Sequence, residues 1–295
     1  MNLLPRRPRI DRSGSSAALV IAAMACTLVL ALTDWGRSAG TTEAQAQQPS
    51  ESAAWPAAAS RPGTPFTLMQ MNLCLSGLSG CYGRAAYPAV VREAVARIRD
   101  AHPSAVTFNE ACRRDTARIA RRTGYQMRFS RVIYLGAPLP CIQPGGRGFF
   151  GNAVLTKARI DASRNRAFKS QFGIEQRRWL CVTTRRDVAV CTSHLNTRRT
   201  PTLRVTNDQQ CAELVALLAR RAETHAVVFG GDMNRHRSCA PDRFWTRTDE
   251  SADQAPGLQH VYGSRRALRW PSAKVRPARY SDHDVLLIRA RLVRR

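Results

Sequence analysis

Lysine is almost missing from this chain. Of 46 basic residues among 295, only Lys157, Lys169 and Lys274 are lysines, and the acids number 21. A formal charge of +25 excludes nothing about the fold but favours polyanionic partners such as nucleic acid, acidic lipid surfaces or polyphosphate. The skew towards arginine can also come from GC-rich codon usage, which weakens that inference. No apolar run reaches the roughly 20 residues of a membrane span; the one at 17–32 has 16 residues. No C-x-x-C pair occurs, so a zinc site has little support. No internal repeat is present, which argues against a solenoid or an array.

The short apolar run has a different meaning. Arg6, Arg7, Arg9 and Arg12 precede it, and Ala44-Gln45-Ala46 follows as an A-x-A cleavage pattern. Residues 1–46 therefore read as a secretory signal peptide, cleaved near Ala46, with an uncleaved anchor as the alternative. Cys26 follows a poor lipobox. Residues 47–64, rich in Ala, Ser, Pro and Gln, read as a flexible leader, and 65–295 as one large domain. The first 46 residues hold five Arg and three acids, which leaves 41 basic against 18 acidic residues, or +23, in the mature part.

Export agrees with the cysteines. Without Cys26, eight remain: Cys74, Cys81, Cys112, Cys141, Cys181, Cys191, Cys211 and Cys239. An even number in an exported chain suggests up to four disulfides. Of 105 possible pairings, Cys181–Cys191 is favoured locally, because the two sit at matching positions of a hairpin turning near Arg185-Arg186-Asp187. The simplest full set pairs sequence neighbours: Cys74–Cys81, Cys112–Cys141, Cys181–Cys191 and Cys211–Cys239.

Hydrophobic periodicity places strands at 67–75, 105–110, 125–135, 152–155, 179–183, 188–194, 226–230, 259–263 and 284–289, with helices at 86–100, 113–122 and 203–222. A Pro/Gly-rich loop runs over 136–148. Interleaved strands and helices with several strand-turn-strand stretches indicate an α/β fold with two packed sheets and helices outside.

Polar groups sit at the ends of apolar strands, where a plain core would not require them. Asn72, Glu110, His194, Asp232 with Asn234, and Asp282 with His283 each follow or precede an apolar run. Singly, each has a structural explanation as a turn former, a helix cap or a satisfied core histidine. Together they form what metal-assisted phosphoester hydrolysis needs. Carboxylates hold a hard divalent cation, an amide donates to phosphate oxygens, and an imidazole moves protons or steadies charge. Gly230-Gly231 would let the backbone turn sharply beside a ligand.

The order Asn72, Glu110, Gly151-Asn152, Ser193-His194-Leu195, Gly230-Gly231-Asp232-Met233-Asn234, Ser281-Asp282-His283 resembles the endonuclease/exonuclease/phosphatase superfamily, the fold of DNase I and exonuclease III-type repair enzymes. The resemblance covers residues 66–292. It implies a four-layered α/β sandwich with two packed mixed sheets flanked by helices, the site at one edge. It further implies that Glu110 is the principal Mg²⁺ (or Mn²⁺) ligand, with Asn72 and Asp282 in the metal shell. Asp232 would position or activate the attacking water, Asn234 and His194 would contact phosphate, and His283 would be general base or transition-state stabiliser. One position departs from the pattern: Gln259 stands where the family has an Asp that orients the imidazole. A neutral amide can accept from the ring N–H but cannot stabilise imidazolium as a carboxylate would. His260 reads as a bystander, and Glu175 with Arg177 or Arg178 as structural.

The leading expectation is a secreted, monomeric, Mg²⁺-dependent nuclease, with the basic helix 113–122 and the loop around Arg147 as phosphate-tracking surfaces. Alternatives are a sphingomyelinase or phospholipase C-type phosphodiesterase using Phe149-Phe150, an inositol polyphosphate phosphatase, and a non-catalytic polyanion-binding member marked by Gln259.

Overall fold

The computed structural model describes residues 63–293. The expected signal peptide and all but the end of the leader lie outside the described residues. The chain forms β1 (Thr64–Asn72), α1 (Tyr82–Ala85), α2 (Ala89–Ala101), β2 (Ala105–Cys112), α3 (Arg113–Thr123), β3 (Gln126–Arg131), β4 (Ile133–Tyr134), β5 (Ala137–Pro138), β6 (Phe150–Thr156) and β7 (Ile160–Ala167). There follow β8 (Glu175–Gln176), β9 (Arg178–Thr184), β10 (Val188–Ser193), α4 (Pro201–Ala222), β11 (Ala226–Asp232), β12 (Phe244–Thr248), β13 (Gln259–Ser264), β14 (Leu268–Arg276) and β15 (Val285–Leu292).

Two six-stranded sheets make the centre, in the orders β14-β15-β1-β2-β6-β3 and β12-β13-β11-β10-β9-β7, with β4, β5 and β8 as a small third sheet. Both large sheets are mixed: β1–β2 and β10–β11 are parallel and the other pairs antiparallel. Helix α3 packs on β2, β3 and β6 of the first sheet, beside α2, and α4 packs on β11 of the second. This is the DNase I-like α/β sandwich, helices outside and sheets face to face.

The inward faces of the central strands explain where the site lies. Because strand side chains alternate, β1 turns Phe66, Leu68, Gln70 and Asn72 towards the second sheet, where Phe66 and Leu68 join the shared apolar core and Gln70 and Asn72 hydrogen-bond across to Gln259 and Asp232. In the same direction β11 presents Ala226, Val228, Gly230 and Asp232, and β10 presents Val188 and Val190 before Thr192. Strand β6, running the other way, has Asn152 at the polar end and Val154 in the core. Each face passes from apolar to polar towards one edge of the sandwich, so the polar groups gather there without opening the core.

Four disulfides close the expected neighbour set, Cys74–Cys81, Cys112–Cys141, Cys181–Cys191 and Cys211–Cys239. Cys181 and Cys191 lie directly opposite each other in the β9–β10 ladder, and Cys211 on α4 packs with Leu214, Leu217 and Leu218 against the outer face of the second sheet. Three strands of the two large sheets escaped the periodicity reading, β7, β12 and β14, as did the two-residue β5 and β8 of the small sheet. All three are sheet edges. Strand β7 buries only its first residue fully, and β14 carries Pro271 and a bulge between Arg269 and Ser272, so neither shows a clean alternation.

Candidate active site

Asp232 occupies the middle of the polar edge. Its backbone N–H donates to Asn109 Oδ1 at 2.7 Å, and its Oδ1 accepts from the Asn234 N–H at 2.9 Å. Its Oδ2 accepts from Asn72 Nδ2 at 3.0 Å and lies 3.6 Å from His194 Nε2 and 3.5 Å from His283 Nε2. Asn72 Nδ2 also donates to Glu110 Oε1 at 3.0 Å, while its Oδ1 accepts from the Cys74 N–H. Thus the amide N–H of Asn72, not its carbonyl oxygen, faces both carboxylates. Asn234 Nδ2 meets His194 Nε2 at 2.9 Å and donates to the Leu195 carbonyl. Ser281 Oγ donates to the Asn72 carbonyl and accepts from His283 N–H, which fixes the approach to β15.

Local backbone choices aim these groups. In β2 the register with β6 slips between Phe108 and Ala111, and Glu110 takes φ 51°. The resulting bulge lets Asn109 reach into the sheet interface while Glu110 turns to the edge. A left-handed non-glycine residue is costly, and this one lies among the acids of the site; Asn234 shares the conformation at φ 51°. Gly230 and Gly231 do not turn: β11 runs straight through them to Asp232. They are glycines for space, since a Cβ on Gly230 would sit 2.4 Å from Thr107 Oγ1 and one on Gly231 2.3 Å from the Ser193 carbonyl.

Electrostatics separate the titratable groups. Burial pushes Glu110 up to about 7, helped by Asp232 and Asp282 and opposed by the Asn72 hydrogen bond. Burial holds His194 down at about 3, with Arg177 adding to this and Asp232 opposing it. Burial also works against the Asp232 anion, yet its carboxyl lies below the ordinary range because His194, His283, the Asn234 N–H and Asn72 face it. His283 is pulled the other way: burial opposes its cation, but Asp232, Asp282, Glu110 and Asp249 outweigh it and raise its pKa. Asp282 Oδ1 and His283 Nδ1 are buried without a hydrogen-bond partner among the described residues.

Gln259 does not bond the imidazole as its position suggested. Its Nε2 donates to Asp249 Oδ2 at 3.0 Å and to the Asp284 carbonyl at 2.6 Å, and its Oε1 accepts from Gln70. Its backbone N–H also donates to Asp249 Oδ1 at 3.0 Å. With both amide hydrogens committed to Asp249 and the Asp284 carbonyl, the side chain points into the sheet interface. Asp249, fully buried just after β12 and pushed up to about 6 by burial, is thus a carboxylate one residue behind the position that lacks one. Asn109, Gln70 and Asp249 were absent from the sequence-based site. Asn109 was the findable one, a polar residue beside Glu110 in an apolar strand. Asp249 follows an edge strand with no motif.

Two other expectations change. Arg147 is no phosphate-tracking group: it is 4% exposed, pairs with Asp115 at 3.1 Å, donates to the Leu75, Gln143 and Pro144 carbonyls, and lies over the rings of Tyr82 and Tyr87. It fastens the 143–148 loop, and its charge is spent there. Phe149 and Phe150 part company, Phe150 buried and Phe149 40% exposed. His260 is structural, buried between Tyr262 Oη and the Gly257 carbonyl. Glu175 and Arg177 form an ion pair at 3.2 Å.

An α/β sandwich whose parallel strand ends carry acids, amides and imidazoles defines a class. The chain belongs to the endonuclease/exonuclease/phosphatase family, whose profile matches residues 78–283. Similar solved structures include the endonuclease/exonuclease/phosphatase from Beutenbergia cavernae DSM 12333, at 18% identity over 77% of this chain and 72% of that one with a TM-score of 0.58. The human Nocturnin catalytic domain with bound sulfate is 16% identical over 78% of this chain and 94% of that one, TM-score 0.59. D. rerio TDP2 complexed with single strand DNA product is 13% identical over 77% and 99%, TM-score 0.52. Identities this low speak for the fold. No curated protein matches the chain. Among the described residues, no helix is long and apolar enough to cross a membrane.

Proposed function

We propose that this protein is an exported, divalent-metal-dependent phosphodiesterase that hydrolyses nucleic acid. The observation that carries the reading is the convergence of Glu110, Asp232 and Asp282 with His194, His283 and Asn234 on one edge of the sandwich. Acids packed this closely, with no lysine or arginine paired to them among the described residues, suit a hard metal ion. Glu110, His194 and Asp232 bring ligand atoms within 4.8 Å of one another, the Glu110 carboxylate is disfavoured by burial and then by Asp232 and Asp282, and Asp282 keeps an oxygen unpartnered. Oxygen donors favour Mg²⁺ or Mn²⁺ over zinc. Glu110 and Asp282 would hold it, with Asn72 setting the direction of Glu110, and when bound it would offset charge growing on the phosphate.

The chain's own groups divide the remaining work. Asp232, ionised between two imidazoles, orients the attacking water and draws off its proton. The Asn234 amide N–H that His194 Nε2 now accepts turns to a phosphate oxygen, and His194, released from it, contacts the phosphate alongside. His283, facing the same Asp232 oxygen, steadies the transition state or moves the proton as general base. The net charge of +23 beyond the signal peptide favours nucleic acid among phosphodiesters.

The test is incubation of the oxidised protein with supercoiled plasmid, RNA and sphingomyelin, in Mg²⁺ and in EDTA. Metal-dependent cleavage of plasmid or RNA is expected. Cleavage of sphingomyelin alone would replace the substrate, and binding of plasmid without turnover of anything would reduce the protein to a polyanion binder.

A further inference from the structure

A groove of about 590 Å³ opens beside the site, and no residue assigned to the chemistry lines it. Its walls include Arg113 at the start of α3, Arg131 at the end of β3, Arg178 at the start of β9, the exposed Phe149 and the half-buried Ile133. It lies at the same edge as Asp232. Arg131 is in register with Gly151, next to Asn152, and Asn152 accepts from the Asn109 that holds the Asp232 backbone. On the other wall, the Arg178 carbonyl accepts from Ser193 Oγ, and Ser193 precedes His194. The groove and the site share one floor.

Its charge is not neutralised from within. No carboxylate lines it, and none pairs with Arg113, Arg131 or Arg178 among the described residues. Among the described residues, the Arg178 side chain bonds only to the neutral oxygens of Gln176 and Asn165, and its Nε is buried without a partner. Burial, then the nearby Arg131, lowers the Arg178 pKa, as expected of guanidiniums held together without an anion. Guanidiniums gathered against desolvation suit phosphate oxygens. An exposed phenyl beside them suits a flat ring, and a base can lie on it only when unstacked from its neighbours.

Building on the phosphodiesterase reading, we propose that this groove binds the stretch of single-stranded nucleic acid next to the scissile phosphate, the arginines on its backbone and Phe149 beneath an unpaired base. A preference for unpaired over duplex substrate follows.

The experiment uses the full oxidised protein and the variants Phe149→Ala, Phe149→Trp and Arg131→Ala, all at exposed positions, with melting temperature as the fold control. Three substrates are compared in Mg²⁺: a labelled 15-nucleotide single strand, the matched duplex, and bis(p-nitrophenyl) phosphate, which has no flanking nucleotides. Phe149→Ala should raise KM for the single strand about 5- to 150-fold, the range of one base stack. Phe149→Trp should restore it, and the small diester should be turned over equally by all. Arg131→Ala should lower the salt dependence of single-strand binding by about one counterion. Unchanged single-strand KM in Phe149→Ala and Arg131→Ala, with strand cleavage intact, overturns the groove while leaving the nuclease reading standing. Cleavage of the small diester but of no oligonucleotide overturns both.

Discussion

Restoring the family's carboxylate at position 259 should harm this protein rather than repair it. In Gln259→Asp the donor that reaches Asp249 Oδ2 at 3.0 Å and the Asp284 carbonyl at 2.6 Å becomes an acceptor. Two hydrogen bonds are lost, and buried acceptors face one another; at ~1–3 kcal/mol for each unsatisfied group, the loss is about 2 kcal/mol even when one acid keeps its proton. Two ionised acids about 4 Å apart repel by up to ~4 kcal/mol at an effective dielectric of 20, but the pair avoids most of this by sharing a proton. Asp249 already titrates at about 6 with the Gln259 amide holding it down, so losing that donor and adding a second acid move the pair's ionisation higher still. A folded-state pKa above the unfolded value means stability present at low pH and lost as pH rises through it. The expected penalty is therefore about 2 kcal/mol at pH 5 and about 4 kcal/mol at pH 8. For a domain of this size that is roughly 6 °C and 12 °C in Tm. Calorimetry in EDTA, with the wild type at each pH as reference, reads it. The double variant Asp249→Asn with Gln259→Asp returns a donor to the pair and should recover most of the loss. A Gln259→Asp protein that melts within a degree of wild type at both pH values, and gains activity, would refute the argument and make Gln259 a simple lesion.

Other perturbations follow from the same contacts. Glu110→Gln removes a carboxyl that titrates at about 7 against an ordinary 4.5. The wild type in EDTA should lose stability as pH rises from about 4.5 through 7, whereas the variant should not, leaving it roughly 3 kcal/mol the more stable at pH 8. Added Mg²⁺ should raise the Tm of the wild type and not of the variant, which thermal scans with and without metal would show. Asp232→Asn and His283→Ala should each lower kcat on the cleaved substrate by about 10²–10⁴ while circular dichroism stays unchanged. Gly230→Ala, with its Cβ against Thr107 Oγ1, should cost ~1–3 kcal/mol in urea unfolding, an overpacking penalty unrelated to any turn.

The fold was legible wherever burial on one or both faces imposed a period. Strands β1, β2, β10 and β11 are buried along most of their length, and their Val, Phe, Leu and Met runs announce it. The three long helices were equally plain, α4 placing Leu214, Leu217 and Leu218 inward, although its start at Pro201 behind the Thr200 cap and the single-turn α1 were not read. What the periodicity reading missed were edge strands, whose outer ladders face solvent and whose residues need satisfy only one neighbour. In β7 the residues Asp161 to Arg166 are exposed, so nothing apolar marks the strand. The disulfides were readable because chain neighbours became spatial neighbours: a hairpin for Cys181 and Cys191, and loops returning to the strand or helix they left for the rest.

The site was legible for a related reason. Each inward face is apolar until its last one or two positions, so a polar residue in phase with the core, such as Asn72 or Asp232, stands out against the run before it. Roles were harder to read, because a role depends on what a side chain faces. Arg147, Arg113 and Arg131 look alike in sequence. Arg147 meets Asp115, two tyrosines and backbone carbonyls, which spend its charge, whereas the other two line an open groove with no acid in it. Gln259 looked like a missing carboxylate, but a carboxylate is there, ten residues earlier, reached through the amide that replaced the acid. A motif records which groups stand at strand ends; it does not record the hydrogen bond behind them. That bond decides whether Gln259 marks a lost charge or a relocated one, and the relocated charge is what makes Gln259→Asp costly.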